Sequence, residues 1–572
     1  LNRIRTDILI LGSGGAGLLA ALHAHQHAPQ LSITVAVKGL LGKCGCTRMV
    51  QGGYNVALAP ADSVERHFMD TIEGGKWLNH QELAWMLVRG AQRCIRELEN
   101  EYGCFFDRNP DGSVHQKAFA GQTFDRTVHK GDLTGIEIIN RLAEQVWARP
   151  INRLEDHRAV ELIKSTEGDA LAGVLFIDMR AGAFLFVQAK AVLLATGGGP
   201  TMYKYHTPSG DKSCDGMAMA LRAGLMLRDM EMVQFHPTGL LAGPDTRMTG
   251  TVLEEGLRGA GGYLLGGDSE RFMHKYDKRG ERATRDIVSR AMYEEIRAGN
   301  TSPLGGLYLQ MSHLGADNVA KMFKGMVQRC ADCGFDLAGG RVEVIPTAHY
   351  MMGGVMFNQD CSTALPGLFT AGEDSGGVHG ANRLGGNGVA NSTVFGSLAG
   401  DSMAAWVPRS GAFRDPDERA IARAIKACRT PLNRPPGDLE AVRERLYDIM
   451  WNDVGIVRTE AGLTGAVTAL AELERALEAT GVVRDTLAYN LGWHDWLNLK
   501  NLIVVSRAIA AAANARRESR GAHYRADFPQ TGELSASAFT RAKLSEQQII
   551  VDTEAVQFSR VRPGESLIRQ SA

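Results

Sequence analysis

Neither sign of charge is in excess: 63 Lys and Arg against 64 Asp and Glu leave a net charge of −1. There is accordingly no global electrostatic case for nucleic acid or an anionic membrane surface. Cysteine is scarce and odd in number, nine in 572 residues, which fits a reduced, cytosolic chain better than a disulfide scaffold. No uncharged apolar run reaches the ~18 residues that span a bilayer; the most apolar stretch, residues 502–515, carries Arg507. A secretory signal is not expected either, because Asp7 and the glycines from Gly12 to Gly17 stand where an apolar run would be needed. The chain begins at Leu1, which suggests a trimmed start. Hydrophobic residues at 44% and charged residues at 22% are globular values that exclude disorder, and the length implies about three domains. Glycine is what is abundant, 66 residues, about 11.5% against an average near 7%. Its clustering marks tight turns.

Residues 8–11 read as a buried apolar strand, followed by a glycine turn, a helical run of Ala and Leu, and a second strand at 32–37. This βαβ order opens a doubly wound α/β sheet. A β-rich stretch, 159–187, leads to another buried strand broken by glycines at 191–200, and 215–227 reads as an amphipathic helix. Composition shifts to more charge and shorter apolar runs from about His236 to Val344, which suggests an inserted domain. Gly-rich strand–turn–helix chemistry returns at 367–400, so the first domain is discontinuous. Helical periodicity runs from Arg419 to about Ser519, broken at 431–437, and a β-like piece follows at 548–551.

Gly12-Ser13-Gly14-Gly15-Ala16-Gly17 fits the G-x-G-x-x-G turn, in which backbone N–H groups and a helix N-terminus hold a pyrophosphate. The second strand ends in Val37 and Lys38 rather than in an acidic residue, which weighs against a plain NAD site. A second glycine cluster and Ala371-Gly372-Glu373 suggest a longer cofactor lying across the sheet, as FAD does. Cys330-x-x-Cys333 has no second pair beside it, so no zinc or iron–sulfur centre is expected in this chain.

Together, Gln51-Gly52-Gly53, FHPTG at 235–239, EGxRGxGG at 255–262, RDxVSR at 285–290, PTxHYMMGG at 346–354 and HGANRLGGN at 379–387 resemble the flavoprotein subunit of succinate dehydrogenase and fumarate reductase. L-aspartate oxidase belongs to the same superfamily. The resemblance runs in order from Thr6 to about Pro529. It implies a Rossmann-type FAD-binding domain (1–235 and 346–405), an inserted α+β capping domain (236–345), a C-terminal helical bundle (410–530) and a tail (531–572). FAD contacts are implied for Gly12, Gly14, Gly15, Ala16, Gly17, Lys38, Cys46, Thr47, Gln51, Gly52, Gly53, Thr196, Gly197, Asp215, Glu373, Arg383, Gly386 and Asn387. The implied proton donor is Arg285, with Glu255 and Arg258 as its relay to solvent. A guanidinium with a pKa above ~12 serves only if a neighbouring carboxylate and a second cation poise it. His236, His349 and Arg383 match the family's ligands for substrate carboxylates, and Phe119 matches the aromatic that packs on the substrate.

Two positions depart from the family. Cys46 stands where membrane-bound members tether the flavin through histidine, so FAD is expected to be non-covalent, with a lower reduction potential that favours fumarate reduction. Glu254 replaces a threonine that bonds a substrate carboxylate. Two carboxylates about 4 Å apart at an effective dielectric of ~20 repel by about 4 kcal/mol, roughly three decades of affinity. Glu254 must therefore be turned away, protonated or paired. Arg247, in a segment longer than the family's, or a cationic group on the substrate, is the expected compensation.

The reading is an FAD-dependent oxidoreductase interconverting a saturated and an α,β-unsaturated dicarboxylate, cytoplasmic or peripheral on the cytoplasmic membrane, and partnered by an iron–sulfur subunit. The alternatives are an oxidase of the L-aspartate oxidase kind, for which a substrate amine would suit Glu254, and a flavin-bearing electron-transfer subunit without chemistry of its own.

Overall fold

The computed structural model describes residues 1–568 except 245 and 247. A seven-stranded sheet forms its centre. Its strand order is Asn152–Leu154, Ile33–Ala36, Asn2–Leu11, Ala183–Leu194, Leu171–Asp178, His157–Lys164, with Leu368–Thr370 also paired to Ala183–Leu194. Asn2–Leu11 is parallel to both neighbours. Ile8, Leu9, Ile10 and Leu11 are buried, as a central parallel strand requires when both its faces are covered. The chain leaves this strand at Gly12 with φ +111, and a Cβ there would lie 2.1 Å from the Ala195 carbonyl oxygen. Only glycine permits this turn. Helix Gly15–His27 then packs against helix Asn387–Ser410, which begins at the second glycine cluster.

A second sheet, entirely antiparallel, joins Val233–Leu240, Arg341–Met351, Leu307–Gln310 and Tyr263–Leu265. A separate hydrophobic cluster drawn from residues 240–344 lies with it. Four helices follow: Glu418–Arg429, Leu439–Asn452, Glu460–Ala479 and Leu491–Ala515. Each is capped by a side chain at its start (Asp417, Asp438, Thr459 and Asn490) that accepts a backbone N–H three residues on. Sequence pattern predicts one β-like piece near the C-terminus. The structure has a hairpin there, Ala538–Ser545 and Gln548–Ala555, paired through Ala542 and Arg541 to Leu227 and Arg228. The segment read as a helix over 215–227 is helical only for Asp215–Arg222, because Leu227–Arg228 is the strand that receives this hairpin. Among the described residues no helix is long and apolar enough to cross a membrane.

Candidate active site

A cavity of about 720 Å³ runs from the first glycine turn to Arg285 and Arg383. Nearly all residues expected to touch cofactor or substrate line it: Gly12, Gly14, Gly15, Ala16, Lys38, Cys46, Thr47, Gln51, Gly52, Gly53, Thr196, Gly197, Asp215, Glu373 and Gly386, then Phe119, His236, His349, Glu254, Glu255, Arg285 and Arg383. Three expected residues do not. Gly17 is needed for packing, since a Cβ there would lie 2.0 Å from the Gly12 carbonyl oxygen. Asn387 spends its side chain on Asn55, His67 and Thr71. Arg258 stands behind Glu255, away from the cavity wall.

The cavity's glycine end suits a dinucleotide. Helix Gly15–His27 starts at Gly14 with no side-chain cap, which leaves backbone N–H groups for a phosphate. The Gly15 N–H meets Thr47 Oγ1 at 3.2 Å. Gln51 Oε1, on the wall, is buried without a hydrogen-bond partner. Lys38 Nζ pairs with Asp215 at 2.9 Å, and Arg158 reaches the other Asp215 oxygen at 3.2 Å. FAD fits this donor set, and Gly12 to Ala16, Lys38, Thr47 and Glu373, which line the cavity, are the residues that would hold it.

Two carboxyls near this end hold protons tightly. Burial pushes Asp374 up to about 7, although it accepts from the Thr196 hydroxyl (3.0 Å) and the Thr196 and Gly197 N–H groups. Burial likewise raises Glu373 to about 7 against bonds from the Met351 and Gly199 N–H groups. Between the ordinary carboxyl value and about 7 the folded chain keeps protons that the unfolded chain has lost, so this contribution to stability falls as pH rises across that window. Asp374→Asn, which has no such proton to lose, is expected to flatten the fall in Tm between pH 5 and pH 8. Unchanged pH dependence in thermal melts would contradict the assignment.

At the other end Arg285, the first residue of helix Arg285–Arg297, donates through Nε (3.0 Å) and Nη2 (2.6 Å) to one oxygen of Glu255. Arg258 Nη2 lies 3.5 Å from the other oxygen. Burial alone would raise Glu255, but Arg285 and Arg258 bring it below the usual carboxylate range, so it stays anionic. Arg258 is itself buried and donates to the Glu281 carbonyl oxygen at 2.6 Å. The chain of contacts expected to reach solvent at Arg258 therefore stops short of it, and the exposed end is Arg271 on the Glu281 carboxylate (2.7 Å).

Arg383 is different: it is buried and, among the described residues, makes no salt bridge. Its Nη2 donates to Gln234 Oε1 (3.0 Å), its Nη1 to the Leu384 carbonyl oxygen (3.2 Å), and its Nε has no partner. Gln234 Oε1 also accepts from Arg285 Nη1 at 3.1 Å, so one neutral oxygen sits between two cations. Burial and the Arg285 charge push Arg383 down to about 10, still a cation at neutral pH. His236 and His349 lie with ring centroids 5.3 Å apart. Burial, then the Arg285 charge, holds both well below the usual imidazole value, so they are neutral. His236 Nδ1 accepts the Thr238 N–H at 3.3 Å, which puts the ring proton on Nε2 as a donor. Phe119 packs between Gly52 and Gly385; a Cβ on either would come within 2.4 or 2.6 Å of its ring.

Glu254 is buried, and its partner is Lys117, whose Nζ lies 3.3 Å from each carboxylate oxygen. Arg247, the expected partner, lies outside the described residues. Lys117 and Gln234 are the functional residues that sequence reasoning misses. Gln234 stands two positions before His236, at the edge of the FHPTG motif, a signal that strand periodicity offers. Lys117 offers none.

Known proteins resemble this chain over nearly its whole length. A family profile described as an FAD binding domain matches residues 7–389, and one described as the fumarate reductase flavoprotein C-terminal region matches residues 443–567. The chain is 40% identical over 549 residues to one component of the CoM/CoB fumarate reductase of Methanothermobacter marburgensis, covering 95% of this chain and 98% of that protein. It is 34% identical to the fumarate reductase flavoprotein subunit of Escherichia coli, covering 92% of this chain and 89% of that one. A solved structure of E. coli quinol fumarate reductase matches with a TM-score of 0.93 at 31% identity, over 99% of both chains.

Proposed function

The chain belongs to the FAD-dependent flavoprotein family of fumarate reductases and succinate dehydrogenases, and from that premise we propose that it interconverts fumarate and succinate as the flavoprotein subunit of a larger enzyme. The observation that carries this reading is the buried Arg383, a cation with an unused Nε and no carboxylate partner among the described residues, beside the neutral His236 and His349. Such a site is complete only when an anion fills it. A dicarboxylate seated there takes one carboxylate from Arg383 and a hydrogen bond from His236 Nε2.

FAD, when bound, supplies hydride transfer at one substrate carbon. Arg285 delivers the proton to the other carbon. Glu255 holds the guanidinium by two N–H groups on one oxygen, which fixes its position and leaves Nη1 shared with Gln234. Arg285, neutral once it has given up its proton, regains one by relay: Glu255 takes a proton from Arg258 on its far oxygen and passes one to Arg285, and Arg258 is recharged from solvent. Phe119 and Val252 line the cavity, apolar walls that help to exclude water from the reacting atoms. In the succinate direction each step reverses.

FAD is held without a covalent bond in this proposal. Cys46 lines the cavity, but burial, with Glu373 beside it, pushes its thiol up to about 12, so the nucleophilic thiolate is scarce. Denaturing the purified chain is expected to release yellow flavin into the supernatant. Flavin that stays with the precipitate would contradict non-covalent binding.

The amine-substrate alternative draws part of its support from a Glu254 with no protein cation beside it, and Lys117 is such a cation. Accordingly, L-aspartate with oxygen is expected to give no hydrogen peroxide, whereas steady peroxide formation would establish the oxidase reading. No cysteine cluster among the described residues offers an iron–sulfur site. Electrons reach or leave the flavin either through a partner, which we propose is an iron–sulfur subunit, or directly through a soluble carrier. Any membrane attachment runs through such partners.

A further inference from the structure

The two helices that begin at the cavity are joined again, well away from it, by a cluster the reaction does not use. His23 and His27 lie one turn apart on helix Gly15–His27, and Asp401 faces them from helix Asn387–Ser410. His23 Nδ1 and His27 Nδ1 each lie 2.9 Å from Asp401 Oδ1, and the three ligand atoms are within 4.8 Å of one another. We propose that His23, His27 and Asp401 form a binding site for a divalent transition-metal ion of the zinc class, pinning these two helices together.

Two imidazoles and one carboxylate, with a fourth position open to water, are a ligand set of the kind zinc takes. Ligand atoms at about 2.0–2.1 Å around a tetrahedral zinc stand about 3.4 Å apart, so the observed spacing needs only small side-chain shifts. A second observation points the same way. On the far side of the His23 ring, Nε2 lies 3.5 Å from Glu97 Oε2, and both atoms are buried without a hydrogen-bond partner. A carboxylate behind a histidine's second nitrogen is the arrangement that orients metal-binding imidazoles and raises their basicity. Arg93 pairs with the other Glu97 oxygen at 3.4 Å, leaving Oε2 to His23. His27 is half exposed, which gives an ion and its water a way in. Cysteine spacing alone leads to the expectation of no metal. The histidines stand in plain view in HAHQH at 23–27, but Asp401 joins them only through helix packing.

The geometric consequence is a clamp. Gly15 and Ala16 at the start of one helix, and Gly388, Val389 and Ser392 at the start of the other, line the cavity, while the ion would fix the two helices to each other farther along.

The test uses the full chain with its FAD, treated with a chelator and titrated with Zn²⁺ by calorimetry, with Co²⁺ as an optical probe. One ion per chain is expected, with a cobalt spectrum of low coordination number and a Tm that rises with zinc concentration. Glu97→Gln is expected to weaken zinc binding by about 10–100-fold, and His27→Gln or Asp401→Asn by more. His27 is exposed enough that its variant folds. A titration with no saturable site, or one unmoved by His27→Gln, overturns the proposal and leaves the cluster as an ion-pair clasp around a protonated His23.

Discussion

Lys117→Met is expected to raise the KM for fumarate by about two to three decades at pH 8, and by less at pH 6. Glu254 lies on the cavity wall with both oxygens 3.3 Å from Lys117 Nζ. Without the lysine, an ionised Glu254 would face the incoming dicarboxylate with nothing to offset it. At about 4 Å and an effective dielectric of ~20 that repulsion is about 4 kcal/mol, an upper limit of roughly three decades. Burial already raises the proton affinity of Glu254, and Lys117 opposes this. Its removal raises that affinity further, so lowering the pH neutralises the carboxylate and relieves the penalty. The pair Lys117→Met with Glu254→Thr is expected to recover most of the wild-type KM. Steady-state kinetics of the three proteins at both pH values check the claim, and a Lys117→Met enzyme with ordinary KM would show that Glu254 does not face the substrate.

Arg285→Gln is expected to lower turnover by about three to four decades with FAD content unchanged. General acid catalysis contributes about 10²–10⁴-fold, and the substitution also strips two charge-assisted hydrogen bonds from a buried Glu255. Arg285→Lys keeps the charge but loses the two-pronged contact with Glu255, so its rate should fall between the two. Flavin content measured beside turnover separates lost chemistry from a lost cofactor.

Much of the fold could be read from local rules. The glycine turn at Gly12 follows from a backbone conformation only glycine adopts, and the periodicity from Arg419 to about Ser519 marks the helical region, although its one expected break at 431–437 becomes four helices that start at the caps Asp417, Asp438, Thr459 and Asn490. The cavity residues were accessible because they lie inside short motifs: FHPTG carries His236, and RDxVSR carries Arg285. What escaped depends on contacts far apart in sequence. Lys117 meets Glu254 across 137 positions, and the C-terminal hairpin pairs with Leu227. Neither has a local signature, since partner choice there is set by which surfaces packing brings together. Asn387 failed for the opposite reason: its motif was right, but its side chain is already satisfied by Asn55, His67 and Thr71.

The central claim is that the Arg383 cation site binds a dicarboxylate for proton delivery by Arg285. Its most direct test supplies the FAD-loaded chain with a reduced artificial dye and fumarate, and follows dye oxidation together with succinate formed. The account predicts one succinate per two electrons withdrawn from the dye, with turnover collapsing in Arg285→Gln. Fumarate left unconsumed by a chain whose flavin is bound and reduced, or turnover undiminished in that variant, would contradict it.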